Sequence, residues 1–469
     1  MSRTVPHCVV VGAGISGLAA AYEIRQRRPD VRVTVLEAAP TIGGKLAQAE
    51  VGDALVDTGA ESVLNRRPEG VDLIRTVGLA HDLCHPAVTN AYVWSRGRLR
   101  PLPPTVLGVP TDLRALRRSG VVSAPGVGRA ALDRLLPARP IGDDVAVGRL
   151  VRRRLGREVS ERLLEPLLGG VYAGRADRLS LHAAAPQIAA LAAHGGSLMG
   201  AAAASTAAGR SPVVPLFAGV VGGVGRLPAA VAVAAKAEVR TSATVRALAH
   251  SETGWQLEVG RADRPELLVA DAVVVATPAA PAARLLASVA PGAADELGGV
   301  EAASVALVTL AVPASGFPSP LPGSGCLVPP VDGRAIKAAT WSSNKWAWVR
   351  DRLGAETLLL RVSFGRHGES ALLQRDDSEL VRLAVDELGE AVGLRGPVLD
   401  SLVTRWGGAL PQYAVGHLDR VRRIRDAVAQ VPGLEVCGAT YDGVGVAACV
   451  ADGQRAGDRI VAALAAERQ

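Results

Sequence analysis

Aromatic side chains are scarce: six Trp, five Tyr and three Phe amount to 3% of 469 residues. Stacking platforms for single-stranded nucleic acid, which need rings along the bound strand, are excluded as the main activity. Lysine is scarcer still, since only four of the 52 basic residues are Lys. The five cysteines, Cys8, Cys84, Cys326, Cys437 and Cys449, form no CxxC and no zinc spacing. Cys8 and Cys437 stand in apolar runs and read as buried thiols. No apolar run reaches the roughly 20 residues that a spanning helix needs. The longest, such as Ser197–Gly209, are broken and rich in Ala and Gly. No charged leader followed by an apolar core and a cleavage site is visible. Disulfide scaffolds, zinc modules and stable membrane insertion are thereby excluded, and a cytoplasmic protein is expected.

What is present is ordinary for a globular chain: 49% hydrophobic and 21% charged residues. Disorder is excluded, and the length calls for two or three domains. The net charge is +7. Residues 100–160 hold twelve Arg against five Asp and Glu, so this segment carries the whole excess. A nucleic-acid role does not follow, because the charge is confined to one segment without a binding motif.

The most informative segment is the first. His7–Val11 (HCVVV) reads as a short buried strand, Gly12-Ala13-Gly14-Ile15-Ser16-Gly17 follows, and Leu18–Arg28 has helical composition. A second strand, Val31–Glu37, ends in an acid 20 residues after Gly17. This is a βαβ unit with a dinucleotide fingerprint in its proper context. Gly12 allows the tight turn, Gly14 the approach of a pyrophosphate, and Gly17 the packing of helix on sheet. The helix N-terminus offers N–H groups to phosphates. Glu37 would accept ribose hydroxyls and disfavour a 2′-phosphate. Thr41-Ile-Gly43-Gly44-Lys45 then resembles an extended FAD fingerprint, with a cation in reach of the phosphates. Asp57-Thr-Gly59-Ala60-Glu61-Ser62 resembles the segment that lies beside the flavin in such proteins.

Farther on, residues 66–90 look helical and loop-like. Residues 100–210 read as a helical insert with a basic face, through runs such as Val147–Leu155. That face suits an anionic ligand, a membrane surface or plain solvent. Ala201–Gly209 reads as a loose loop or frayed helix. Val239–Val245 is a strand candidate, and residues 255–275 look like a β-meander. Val305–Val312, Ile336–Thr340 and Thr357–Phe364 suggest a second, mostly antiparallel sheet, and Glu379–Gly393 an amphipathic helix. The C-terminal part reads strand (Leu434–Gly438), glycine turn (Gly443-Val444-Gly445-Val446) and helix. This aims a helix dipole at a crevice. No Ser-His-Asp set, metal cluster or paired-carboxylate signature stands out.

Taken together, these motifs resemble the FAD-dependent protoporphyrinogen/coproporphyrinogen oxidase family, within the amine-oxidase-like flavoproteins, and most of all its soluble Gram-positive type. The more discriminating segments are Leu163–Gly174 (LLEPLLGGVYAG), Leu179-Ser-Leu, Thr340–Trp346 (TWSSNKW), Arg405–Tyr413 with Gly416-His417-Leu418, and Cys437–Val446 (CGATYDGVGV). The resemblance implies an α/β fold: a Rossmann-like FAD-binding domain in three pieces (1–90, 213–285, 401–469), a helical, basic, membrane-binding-like insert (91–212) and a mixed-sheet substrate domain (286–400). It implies non-covalent FAD and oxidation of coproporphyrinogen III to coproporphyrin III in haem synthesis. Six electrons would pass in three rounds, with O2 as acceptor. Protoporphyrinogen IX oxidation is the alternative, and another activity of the flavoprotein group, amine oxidation or desaturation, is a further one. A haem-pathway enzyme is expected as a transient partner at most.

The resemblance places cofactor contacts at Gly12–Gly17, Glu37, Ala38, Gly43, Gly44, Lys45, Gly59–Ser62, Val245 (through its backbone), Trp406 and Gly443–Val446. Trp406 also reads as an ordinary core aromatic. Arg67 is the first choice for a propionate clamp. The adjacent Arg66 is the second, and a surface role suits either. Leu168 and Tyr172 would line the macrocycle cavity or simply pack the core. His417 is expected to be a hydrogen-bonded structural residue. No catalytic side chain is assigned, because the flavin would be the oxidant.

Overall fold

The computed structural model describes residues 5–137, 141–193, 195–208, 215–252 and 254–466. Its organising element is a five-stranded parallel sheet in the order 238–240, 32–36, 7–11, 272–275, 434–436. Parallel strands covered on both faces need continuous apolar runs, and His7–Val11 and Ala272–Val275 are buried at every position. Helices Ile15–Arg27, Leu227–Ala235 and Val446–Ala466 cover one face. The other face carries an antiparallel meander (245–251, 254–261, 264–270) and helices Ala279–Leu286, Pro291–Gly298 and His417–Ala429.

A seven-stranded sheet follows the order 400–411, 302–313, 357–364, 336–341, 325–327, 92–95, 98–101. All its pairs are antiparallel except 325–327 with 92–95. Helix Asp377–Val392 closes one face with Leu380, Ala384 and Leu388. The helices of residues 113–208 have their own core around Val151, Leu163 and Leu168. Within that group, helix Glu165–Tyr172 packs on strand 336–341. No helix among the described residues is long and apolar enough to cross a membrane.

Several local expectations need correction. The segment 239–245 is not one strand: Glu238–Arg240 joins the parallel sheet, and Val245 opens the meander after a turn at Ser242 (φ 53°). The meander ends at Ala270, and Ala272–Val275 belongs to the parallel sheet instead. Residues 198–208 form a helix, while Gly209 and the boundary expected at 212–213 lie outside the described residues. The basic segment is not all solvated. Arg154 is buried against Asp133 at 2.6 Å and Arg129 donates to the carbonyls of Arg153 and Arg154, whereas Arg114, Arg117 and Arg118 are exposed.

Candidate flavin site

The first turn leaves no room for side chains. Gly12 has φ 107°, and a Cβ there would stand 2.9 Å from the Ala276 carbonyl oxygen. A Cβ on Gly17 would meet the Gly12 carbonyl oxygen at 2.0 Å. Gly14 differs, because a Cβ there would point into open space. The Gly43 N–H donates to Ala13 O at 2.8 Å, which brings the second glycine loop alongside, with Gly44 next to the Gly14 Cα. The Glu37 carboxylate reaches back to this turn and accepts the N–H groups of Ala13 (2.8 Å) and Ala39 (2.9 Å). Lone pairs remain for ribose hydroxyls. Ala38 beside it is exposed. Val245 is brought near through Ala243 N–H to Glu37 O (2.8 Å) and Ser242 N–H to Ala39 O (2.9 Å).

The Lys45 ammonium has no hydrogen-bond or ion-pair partner among the described residues, and burial pulls it below the usual lysine value. A half-buried cation beside an open glycine track fits a pyrophosphate. The next segment runs along this loop: Ala60 N–H donates to Lys45 O at 3.0 Å, and a Cβ on Gly59 would stand 1.9 Å from that oxygen. Asp57 anchors the segment by accepting Val224 and Gly225 N–H, both at 2.9 Å. Burial, only partly offset by those bonds, raises its carboxyl to about 6. Trp406 is half-buried, and its indole N–H donates to Thr58 O at 3.0 Å. Ser62 is half-buried.

Glu61 has a different situation from a free cofactor contact. Its carboxylate accepts the Lys345 ammonium on one oxygen and Arg361 NH1 on the other at 2.8 Å. Arg361 NH2 also donates to Gly59 O at 2.6 Å. Burial alone would push this carboxyl up; the two cations outweigh it and hold it at about 2. The flavin-type segment 57–62 is thus tied to the seven-stranded sheet through Arg361 and through Lys345 of TWSSNKW.

The C-terminal turn is braced from several sides. Tyr413 Oη donates to Ala439 O (2.6 Å) and accepts Gly443 N–H (2.8 Å). Asp452 accepts Gly438 N–H (2.9 Å) and is paired with Arg425 and Arg455. Val444 is half-buried, Gly445 is exposed, and Val446 starts the helix over Ser16: a Cβ on Gly453 would touch Ser16 O at 2.1 Å. His417 stacks on Tyr413 at 3.9 Å and bonds Tyr441 O at 3.1 Å, as a structural residue does. The Cys449 thiol is buried, and burial raises it to about 11.

Among the expected substrate residues, Arg66 is exposed and Arg67, 43% exposed at its side chain, pairs loosely with Glu69 at 3.4 Å. Leu168 is fully buried in the core of the helical group. Tyr172 is buried against Tyr413, with ring centroids 5.4 Å apart, and burial raises its phenol to about 12. The braces Lys345, Arg361, Tyr413 and Asp452 were not singled out from sequence. Three of them lie in or beside the quoted motifs, but their partners are remote. Among the described residues no group of three or more His, Cys, Asp or Glu is placed to hold a metal ion.

The glycine track, Glu37 and Lys45 together fit FAD in kind. The comparisons with known proteins agree. The model of the flavin-containing amine oxidoreductase family matches residues 15–461. The coproporphyrinogen III oxidase of Mycobacterium tuberculosis is 37% identical over 468 residues, 98% of each chain. That of Bacillus subtilis is 32% identical over 471 residues, 97% of this chain and 98% of its relative. A solved structure from Exiguobacterium sp. superposes with a TM-score of 0.87 at 30% identity, over 98% of this chain and 100% of that one. With the family model spanning nearly the whole sequence and the relatives matching end to end, the chain belongs to the flavin-containing amine oxidoreductases, among the FAD-dependent porphyrinogen oxidases, and is an FAD-dependent oxidoreductase.

Proposed function

We propose that the protein oxidises coproporphyrinogen III to coproporphyrin III with O2 in the cytoplasm. The observation that carries this reading is the end-to-end match to relatives of that name, at 37% and 32% identity. The flavin cradle that abuts a separate substrate sheet supports it. Bound FAD supplies the two-electron acceptor for each round. Six hydrogen atoms leave the macrocycle in three rounds, and three O2 become three H2O2.

The chain's own part is to bind, orient and exclude water. Glu37 and the Val245 backbone take the adenosine, and Lys45 and the Gly12–Gly17 turn take the phosphates. Gly59–Ser62, Trp406 and Gly443–Val446 shape the flavin end, with the first turn of helix 446–466 favouring negative charge there. The buried Cys449 thiol is poorly suited to attack at neutral pH, which favours non-covalent retention. Arg67, or Arg66 beside it, meets a propionate at the mouth.

The test is turnover in air of the purified, FAD-loaded protein, with coproporphyrinogen III and protoporphyrinogen IX supplied separately. Porphyrin fluorescence and H2O2 are followed. Faster coproporphyrin formation with three H2O2 per porphyrin is expected. Preference for protoporphyrinogen replaces the substrate assignment, and a flavin-loaded protein that forms neither porphyrin refutes the proposal.

A further inference from the structure

Lys337 is a buried cation without a counter-charge among the described residues. It lies on strand 336–341 and is 4% exposed; its carbonyl accepts the Val328 N–H at 2.9 Å, whereas its ammonium has no hydrogen-bond or ion-pair partner among the described residues. Burial and a second cation, the Arg366 guanidinium, pull its ammonium down to about 8. Buried charges in proteins are ordinarily paired, because an isolated one forfeits its hydration.

The acids that act on Arg366 have partners of their own. Glu387 accepts the N–H groups of Ala335 (2.8 Å) and Ile336 (3.1 Å). Glu369 is shared between Arg366 (3.5 Å) and Arg175 (3.4 Å). Glu165 accepts Ala176 N–H at 3.0 Å. Arg366, 8% exposed, spends one NH2 on the carbonyls of Ile336 (3.1 Å) and Val328 (3.3 Å).

The location is informative. Helix 165–172, which carries Leu168 and Tyr172, packs on strand 336–341. A Cβ on its Gly170 would lie 3.7 Å from the Leu327 side chain, one strand over. Next to Arg366, His367 N–H donates to Ala173 O at 2.6 Å. Lys337 thus stands on the strand that the helical group packs against, and Arg366 next to the residue that ties that group to the sheet.

We propose that Lys337, backed by Arg366, is a binding site for one substrate carboxylate and a determinant of substrate choice. The proposal rests on the function proposed above. A propionate at this seam supplies the missing counter-charge. A vinyl group in its place leaves the ammonium buried and unpaired, so the site favours a tetrapropionate over a dipropionate macrocycle.

The test is porphyrin binding to the FAD-loaded protein, read by fluorescence titration, alongside its thermal midpoint. Loss of one charged hydrogen bond corresponds to about 10- to 100-fold in affinity. K337M is expected to weaken coproporphyrin III by that factor, and protoporphyrin IX by less than about threefold. K337R is expected to restore most of the affinity. The thermal midpoint of K337M should hold or rise, since an unpaired buried charge is removed. Unchanged coproporphyrin affinity in K337M overturns the site. So does a parallel loss for both porphyrins with a lowered midpoint, which marks a structural lysine. Wild-type protein also serves without any variant: equal affinity for coproporphyrin III and its tetramethyl ester overturns the proposal. Wild-type protein that binds neither porphyrin and turns over neither porphyrinogen refutes the proposed function itself.

Discussion

The Glu61 brace allows a quantitative test. E61Q keeps the side-chain shape but removes the charge that Lys345 and Arg361 share. The three side chains are 14%, 17% and 9% exposed, so solvent screens them little. A carboxyl held at about 2 instead of its ordinary 4.5 corresponds to about 3 kcal/mol of folding free energy. Breaking a buried pair by removing one partner independently costs about 3–5 kcal/mol. Because the folded value is depressed, this stabilisation is complete above about pH 4.5 and is lost as pH falls toward about 2. The assay is urea denaturation of the FAD-loaded protein, followed by flavin fluorescence at pH 7 and at successively lower pH. E61Q should be less stable by about 3 kcal/mol at pH 7, with the gap narrowing below about pH 4.5. The double variant E61Q/K345M should cost less than the sum of the two single changes, by about 1–3 kcal/mol of coupling. A cost below about 1 kcal/mol at pH 7, or a gap that does not change with pH, refutes the assignment of an ionised Glu61 clamped by two cations.

Three further outcomes are expected. E37R places a cation where the ribose-binding acid stands, and the purified protein should be colourless; a yellow, fully loaded variant refutes the role. Y413F loses the bonds to Ala439 O and Gly443 N–H, at about 1 kcal/mol each. Its flavin should dissociate several-fold faster on dilution, and an unchanged off-rate removes Tyr413 from flavin retention. R67A should raise KM for coproporphyrinogen more than it lowers kcat, as for uniform binding of a propionate; an unchanged KM moves the contact elsewhere.

The legible parts of the sequence are those whose physics is local. A buried Val run, three spaced glycines and an acid ending the next strand are each dictated by neighbours within a few residues, and the βαβ turn forms as expected. The Glu61 brace is not legible in this way, because its partners lie 284 and 300 residues away. The arginine run 152–154 shows the same limit. Arg152 and Arg153 are exposed while Arg154 is buried on Asp133, a difference set by helix phase and by a partner 21 residues earlier. The split of 239–245 escaped because Ser242 takes a positive φ without a glycine to announce it. Lys337 lies in a run that reads as a strand, but its burial comes from packing across the fold and is not written in the neighbouring residues.

The strand order of the parallel sheet bears on synthesis in the cell. Its middle strand, 7–11, is flanked by 32–36 and by 272–275, and the outer strand 434–436 pairs only with the latter. At ribosomal rates of about 5–20 residues per second, about 8–30 seconds separate the emergence of residue 275 from that of residue 436. Throughout that interval one edge of the sheet is open, and the helix that lies over Ser16 has not yet been made. The nascent chain therefore cannot load its flavin progressively. Capture is expected to come late, and a message truncated before residue 434 should yield an apoprotein whose sheet edge at 272–275 stays uncovered, a substrate for chaperones and proteases.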